Sequence, residues 1–501
     1  MKDSPVNSLV SSIIEIDRNS SIAIYIQIAN HIEKAIQQGI LIPGQKIPGA
    51  RTLASQIGTH RNTVTAAYEE LYTQGWIEIK ANKGAFIATV LPQINLEHST
   101  TQHYPSHTGF HFKTSVLLES VYESTSCEFI FTDGTPDIRL TQINDLSRLY
   151  SANMKRTSNR RKMNYYSQEG SQYFKQNLCT YLNTSRGLNI SIDNMLITRS
   201  IEMSLFIISE IIIEPDHYVV VPNPGYFAAN MVFHKNTKNI LTIPVDEQGM
   251  KIDELERLCE KYPIRMVYTI PQNQYPTTSN LSAARRMQLL HLAQEYRFII
   301  IEDNHDYDFH YENNPLLPLS TIDKSGMVIY LGSFGKSLAP GFRTGFIIAP
   351  ENLIREMKKF LGIIDRQGDV LMEQALGELI EEGAIQRHLK RSIKIYKERR
   401  DLMASLLEKE LEEWIQFQKP TGGLAFWITF KKSVNLMQLK RQSAHYGLFI
   451  PRTLLYQNIH FTAMRIGFGH LNENEMYQNI SLLKKALLKL NKEETSTLKM
   501  N

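Results

Sequence analysis

Four strand-length, almost uninterrupted apolar runs set the tightest limit on what this chain can form: residues 218–221 (YVVV), 266–270 (MVYTI), 298–301 (FIII) and 327–331 (MVIYL). Helical stretches such as residues 282–296 lie between them. A strand that is apolar on both sides cannot face water on either. Both faces of its sheet must be covered, which is the pattern of a mainly parallel sheet sandwiched by helices. Each run stops at once on polar or Gly/Pro residues: NPGY, PQNQYP, EDNHD and GSFGK. Ligands of such sheets bind beyond the carboxyl ends of the strands. Tyr226, Gln274, Asp303 and Lys336 are thereby predicted around one crevice.

The stretch MVIYLGSFGKSLAPGFRTGFIIA, residues 327–349, delivers Lys336 just past a buried strand and returns as a second apolar strand. A lysine so placed sheds its proton readily and attacks carbonyl groups as an amine. Ser333 and Arg343 flank it with a hydroxyl and a guanidinium fork, groups that bind phosphate. The guest this set selects is a phosphate-bearing aldehyde, pyridoxal 5'-phosphate. Lys336 would hold the aldehyde as a Schiff base. Asp303 would pair with the pyridine nitrogen and keep it protonated, making the ring an electron sink. Tyr226 would stack on the ring, and Gln274 or His305 would hydrogen-bond its phenolic oxygen. Singly, a lysine is most often a solvated side chain, an aspartate a cap and a tyrosine a core aromatic. Their convergence favours the site.

The first ninety residues follow a different plan. Ile24, Ile28, Ile32, Ala35 and Ile36 mark one face of a helix ending at Gly39. After a Pro/Gly loop, Leu53, Ala54 and Ile57 make a short helix. Residues 58–60 turn, and a second helix buries Val64, Ala67, Tyr68 and Leu71. Two short helices joined by a Gly-containing turn are a helix-turn-helix. Arg61, Asn62, Thr63 and Thr65 occupy the end of the second helix that reaches base edges and phosphates. A hairpin follows, with Ile77 and Ile79 inward and Lys80, Asn82 and Lys83 at its tip, suited to a phosphate or minor-groove contact. On IYIQIANHIEKAIQQGILIPGQKIP, RTLASQIGTHRNTVTAAYEEL and GWIEIKANKGAFIAT, residues 22–90 resemble the winged helix-turn-helix of GntR-type regulators. The resemblance implies contacts to double-stranded promoter DNA by Arg51, His60, Arg61, Thr63 and Lys83, with Tyr68 in the core.

Composition excludes several alternatives. At 501 residues the chain calls for two or three domains. A formal net charge of +4 does not by itself announce nucleic acid. Cys127, Cys179 and Cys259 are scattered, without metal spacing or a disulfide framework. The acid-bearing N-terminus is a poor signal peptide. The longest greasy stretch, residues 205–213, falls well short of the roughly 20 residues a membrane span needs. A cytoplasmic location is expected, with no membrane and no metal. Residues 91–125, rich in Ser, Thr, His and Pro, read as a linker, and the irregular spacing of His98, His103, His107 and His111 favours a polar tether over a metal site. The basic run KRTSNRRK, residues 155–162, reads as a solvated loop or a supplementary DNA-backbone contact.

The large domain resembles the fold-type I aminotransferases, nearest to the aminotransferase-like half of MocR/GabR regulators. The carrying stretches are GTPDIRL, YYSQEG, NPGYFAAN, PQNQYPTT, EDNHDYDF, GSFGKSLAPGFRTGF, HLKRSIKIYKERRDLM, PTGGLAFWI and MRIGFG. This implies an N-terminal arm (1–21), a winged helix (22–90), a linker (91–125), a pyridoxal-phosphate-binding domain (126–490) with a smaller C-terminal α+β part, and a tail (491–501). It implies Lys336 as the Schiff-base lysine, Asp303 at the pyridine nitrogen, Tyr226 on the ring, Ser333 and Arg343 at the phosphate, and Arg465 as clamp for an amino acid carboxylate. A head-to-tail homodimer is implied as well. The chain also departs from the pattern. Ser200, Ile201 and Glu202 replace the usual Gly/Ser/Gln phosphate cup, where helix-start amides still bind phosphate but Glu202 repels it. His305 stands for a tyrosine, and Ala228 for a second carboxylate-binding arginine. The expected function is a DNA-binding transcription regulator that senses pyridoxal phosphate, or an amino acid or amine effector, by aldimine exchange at Lys336. The alternative is a working aminotransferase.

Overall fold

The structure is a computed structural model describing residues 5–81, 83–92, 106–115, 118, 123–141, 143–164, 169–304, 306–312, 316–432, 434–459 and 461–498. Asn82, His98, His103 and His305 lie outside the described residues. The chain divides into two compact units, Met1–Lys113 and Thr114–Asn501.

In the first unit, α1 (Pro5–Ser12) precedes α2 (Ile24–Gln37), α3 (Ala50–Gln56), α4 (Arg61–Thr73) and the antiparallel hairpin of β1 (Ile77–Lys80) and β2 (Gly84–Ile87). The spaced apolar residues of α2 and α4 close on Leu53, Ala54 and Trp76 as one core, which Val10 and Ile14 of the arm join. Each isoleucine, leucine or valine among them contributes roughly 1.5–3 kcal/mol on burial. Tyr68 is buried and donates to the Pro48 carbonyl at 2.7 Å. Ile79 does not point inward as the alternation predicts. It is 52% exposed and stays outside the core that Ile77 and Ala85, its partner across the hairpin, both join.

The second unit is built on an eight-stranded sheet of order β4-β11-β10-β9-β8-β5-β6-β7. The short β3 (Phe129–Ile130) lies outside it. The strands are β4 (Met195–Thr198), β5 (Tyr218–Asn223), β6 (Ile240–Asp246), β7 (Gly249–Met250), β8 (Ile264–Thr269), β9 (Ile299–Asp303), β10 (Val328–Ser333) and β11 (Gly345–Ile348). β10, β9, β8, β5 and β6 run parallel, while β11 is antiparallel to both its neighbours. The apolar runs follow from the layering. Val219, Val221, Met266, Tyr268 and Ile301 pack into one core with Leu205, Ile208 and Ile212 of the helix Ile201–Ile212. The alternate residues Val220, Val267 and Ile300 pack on the other face with Leu289, Leu292 and Ala293 of the helix Ala283–Tyr296. A four-stranded antiparallel sheet with helices forms the smaller C-terminal part; its strand Thr462–Gly467 carries Arg465.

Candidate functional site

Asp303 is the last residue of β9 and Ser333 the last of β10, and the two strands pair in parallel with Asp303 opposite Leu331. The pairing brings both strand ends to one rim. Gly332 is required there, because a Cβ on it would lie 2.3 Å from the Phe346 ring of β11. The rim opens into a crevice of about 1060 Å³ that Lys336, Asp303, Ser333, Arg343, Ser200 and Tyr226 all line.

Lys336 lies three residues beyond β10 and is largely enclosed, its Nζ 3.0 Å from Oδ1 of the buried Asp306. Asp303 is fully buried, and its Oδ2 accepts from the Tyr268 hydroxyl at 2.8 Å. Burial and that carboxylate hold the Tyr268 phenol well above its ordinary range, so it stays a donor. Arg343 closes a turn with φ of 46°, a left-handed conformation uncommon outside glycine. Ser200 caps the helix Ile201–Ile212, its Oγ accepting from the Met203 amide at 3.2 Å. The first amides of a helix have no intrahelical acceptor, which leaves an anion-binding edge at the crevice. Gly225 makes the NPGY turn possible, since a Cβ would meet the Pro222 carbonyl oxygen at 2.3 Å. The following Tyr226 donates to Glu202 Oε1 at 2.8 Å and sets its ring edge-on to Tyr275, 5.1 Å between centroids. Burial, and secondarily the Glu202 carboxylate, raise the Tyr226 phenol well above its ordinary range.

Two residues predicted at the crevice do not line it. Gln274 is buried, with its Nε2 on the Tyr275 carbonyl at 2.8 Å and its Oε1 accepting from the Ile270 amide. It satisfies the backbone of its own loop, and the neighbouring Tyr275 lines the crevice instead. Arg465 is 1% exposed and lies behind Tyr275, its guanidinium 4.6 Å from that ring. Its Nε donates to the Asp133 carbonyl at 2.8 Å and its Nη1 to the Pro276 carbonyl at 2.9 Å, while Nη2 lies 3.7 Å from Asp306 Oδ2. The anionic partner that a buried guanidinium demands is thus Asp306, which sequence reading passed over. Its signal was available: a second acid in EDNHD, three residues after the first. Tyr268 was hidden because it reads as one more apolar residue of β8.

The donor set fits pyridoxal 5'-phosphate. Lys336 supplies an amine, Asp303 a buried carboxylate fixed by a hydroxyl, and Ser333, Arg343 and the helix start the phosphate donors. Glu202 is the group of opposing sign, and Tyr226 engages it.

In the first unit Arg51, His60 and Arg61 are exposed, Thr63 is half-buried in the first turn of α4, and Lys83 is exposed at the hairpin tip. His60 caps α4, its Nδ1 accepting from the Asn62 amide at 3.2 Å. The basic run near residue 160 is partly spent: Arg156 pairs with Glu378, and Lys162 donates to Gln374 at 2.9 Å. Among the described residues no helix is long and apolar enough to cross a membrane.

Residues 135–478 match the family described as aminotransferase class I and II. Residues 24–87 match the bacterial regulatory proteins of the gntR family. The chain is similar to a probable rhizopine catabolism regulatory protein MocR of Rhizobium meliloti, with 23% identity over 479 residues, covering 95% of this chain and 96% of that one. It is 30% identical over 313 residues to aromatic-amino-acid aminotransferase 1 of Thermococcus litoralis, covering 61% of this chain and 75% of the relative. Among solved structures, Pyrococcus horikoshii kynurenine aminotransferase in complex with PMP superposes with a TM-score of 0.67 at 27% identity, over 73% of this chain and 92% of that one.

Proposed function

The chain belongs to the class I and II aminotransferase family, in the MocR-type branch that carries a GntR-type DNA-binding domain, and from this premise we propose how it works as a pyridoxal-phosphate-dependent transcription regulator. The cofactor of this family is pyridoxal 5'-phosphate. When bound it supplies an aldehyde that condenses with primary amines and a ring that withdraws electrons. Lys336 holds the aldehyde end, Asp303 keeps a proton on the ring nitrogen, and Ser333, Arg343 and the Ile201–Ile212 helix start hold the phosphate. Tyr226 and Tyr275 border the ring. A primary amine would compete with Lys336 for the aldehyde, and the Lys336 amine, once released and protonated, would add a positive charge beside Asp306, whose Oδ1 lies 3.0 Å from its Nζ. A ligand shifts an equilibrium only through such differential contacts, and DNA affinity is their readout. Arg51, His60, Arg61, Thr63 and Lys83 contact promoter DNA. The working form is a cytoplasmic head-to-tail homodimer with two winged helices on repeated half-sites.

The observation that carries this reading is the co-occurrence, in one chain, of exposed arginines on α3 and α4 and an enclosed lysine facing a buried carboxylate. Purified full-length protein is expected to show a visible absorbance band that Lys336→Ala abolishes while the variant still footprints promoter DNA. A colourless wild type with bound cofactor, or an unchanged band in the variant, refutes Lys336 as the attachment point. The likeness to an aminotransferase of T. litoralis favours turnover as a second reading. Rapid multiple-turnover transamination with a keto acid would establish it.

A further inference from the structure

The N-terminal arm lies outside the stretch that matches the gntR family, residues 24–87, yet it is built into the same compact unit. Val10 and Ile14 are buried in the core that α2, α3, α4 and the hairpin form, and Ile13 and Ile16 pack against it. The buried Gln27 of α2 grips the end of the arm by its backbone. Its Oε1 accepts from the Asp17 amide at 2.9 Å, and its Nε2 donates to the carbonyls of Asp17 at 3.0 Å and Ile22 at 2.7 Å. Arg18 is thus carried on fixed backbone. Its Nη2 donates to the Gly58 carbonyl at 2.9 Å, in the turn that feeds α4 three residues ahead of Arg61.

A guanidinium has five N–H donors, this contact uses one, and the side chain is exposed. Of the two acids beside it in the arm, Glu15 and Asp17, the second turns its Oδ1 to the Asn19 amide at 2.9 Å. Between Glu33 and Glu69 the chain has no acid at all, while Lys34, Lys46, Arg51 and Arg61 fall in that stretch. It holds α3, the turn and the start of α4, so the cation on Gly58 joins a segment without opposing charge. The start of the second helix of a helix-turn-helix enters the major groove, and phosphates border that groove. A cation anchored on the turn ahead of the helix is placed for the backbone and not for the bases. Its anchoring also spares part of the ordering cost that a long side chain incurs on binding.

We infer that the N-terminal arm is a further DNA-contacting element beside α3, α4 and the hairpin, and that Arg18 neutralises a backbone phosphate next to the recognition helix. The inference rests on the DNA-binding function proposed above and adds to it a contact that positions without reading sequence.

The test measures binding of full-length protein to a promoter duplex that it footprints and to a scrambled duplex of equal length, across a range of salt concentrations. Arg18→Gln keeps a side-chain donor for the Gly58 carbonyl and removes the charge. It is expected to weaken binding to both duplexes alike, by about threefold or more, and to lower the slope of log affinity against log salt by about 0.9. Arg18→Lys is expected to restore the slope. A wild-type slope in the Gln variant overturns the inference, and so does a Lys variant that behaves as the Gln variant does. Weakening confined to the promoter duplex at unchanged slope would make Arg18 a brace for the turn, which also overturns the phosphate contact. Wild type that binds neither duplex takes down the DNA-binding function together with the inference, whereas wild type that binds both and is matched by the Gln variant takes down the inference alone.

Discussion

Tyr268 shows how one hydroxyl conditions the site. Its phenol donates to Asp303 at 2.8 Å from full burial, fixing the carboxylate that faces the crevice. Removing it leaves a buried charge one donor short, at a cost typical of a hydrogen bond to an ionised group. Tyr268→Phe is therefore expected to weaken cofactor retention by about tenfold, read as the concentration needed to restore the band after dialysis. Retention equal to wild type would mean that Asp303 is held without it. Asp303 and Lys336 were legible in sequence because one ends a buried strand and the other comes three residues after one. Tyr268 was not, since its role depends on which neighbour its hydroxyl meets across the sheet. Gln274 shows the converse, a polar residue at a strand end that the loop uses for itself.

At the scale of elements, the helix Val370–Glu381 carries a buried acid that the motifs did not mark. Glu373 is 4% exposed and accepts from the Ser171 amide, and burial pushes its carboxyl up to about 7 from 4.5. The folded state thus prefers the protonated form. Its contribution to stability is fully present below pH 4.5 and is lost as pH rises through about 7. The loss is on the order of 3 kcal/mol. Glu373→Gln is expected to remove this pH dependence and to be the more stable protein at pH about 8, measured by chemical denaturation at several pH values. Parallel stability curves for the two proteins would mean that the carboxyl is ionised in the fold. The elements themselves were the most legible level of the chain. β5, β8, β9 and β10 each overlap their apolar run, because residues alternating between two cores must all be apolar. The inward turn predicted for Ile79 failed because alternation tells which side a residue faces and not whether anything covers that side.

For the whole molecule, the sign and salt dependence of DNA binding follow from α4 and the hairpin. Each lysine or arginine on a phosphate releases counterions, and the affinity falls with salt accordingly. Arg61→Ala is expected to weaken promoter binding and to lower the slope of log affinity against log salt by about 1, with the visible band unchanged. A slope equal to wild type would place Arg61 off the phosphates. The sequence by itself determined the order of units, the layering of the sheet and the rim on which Lys336, Asp303, Ser333 and Arg343 meet. All of these follow from local periodicity and from where buried strands must stop. Tertiary structure alone decided what Arg465 holds, because its partner Asp306 lies far away in the chain and reaches it only when the C-terminal sheet packs against the end of β9. Charge pairing in a buried site is set by which groups the fold excludes from water together, and no spacing along the chain records that.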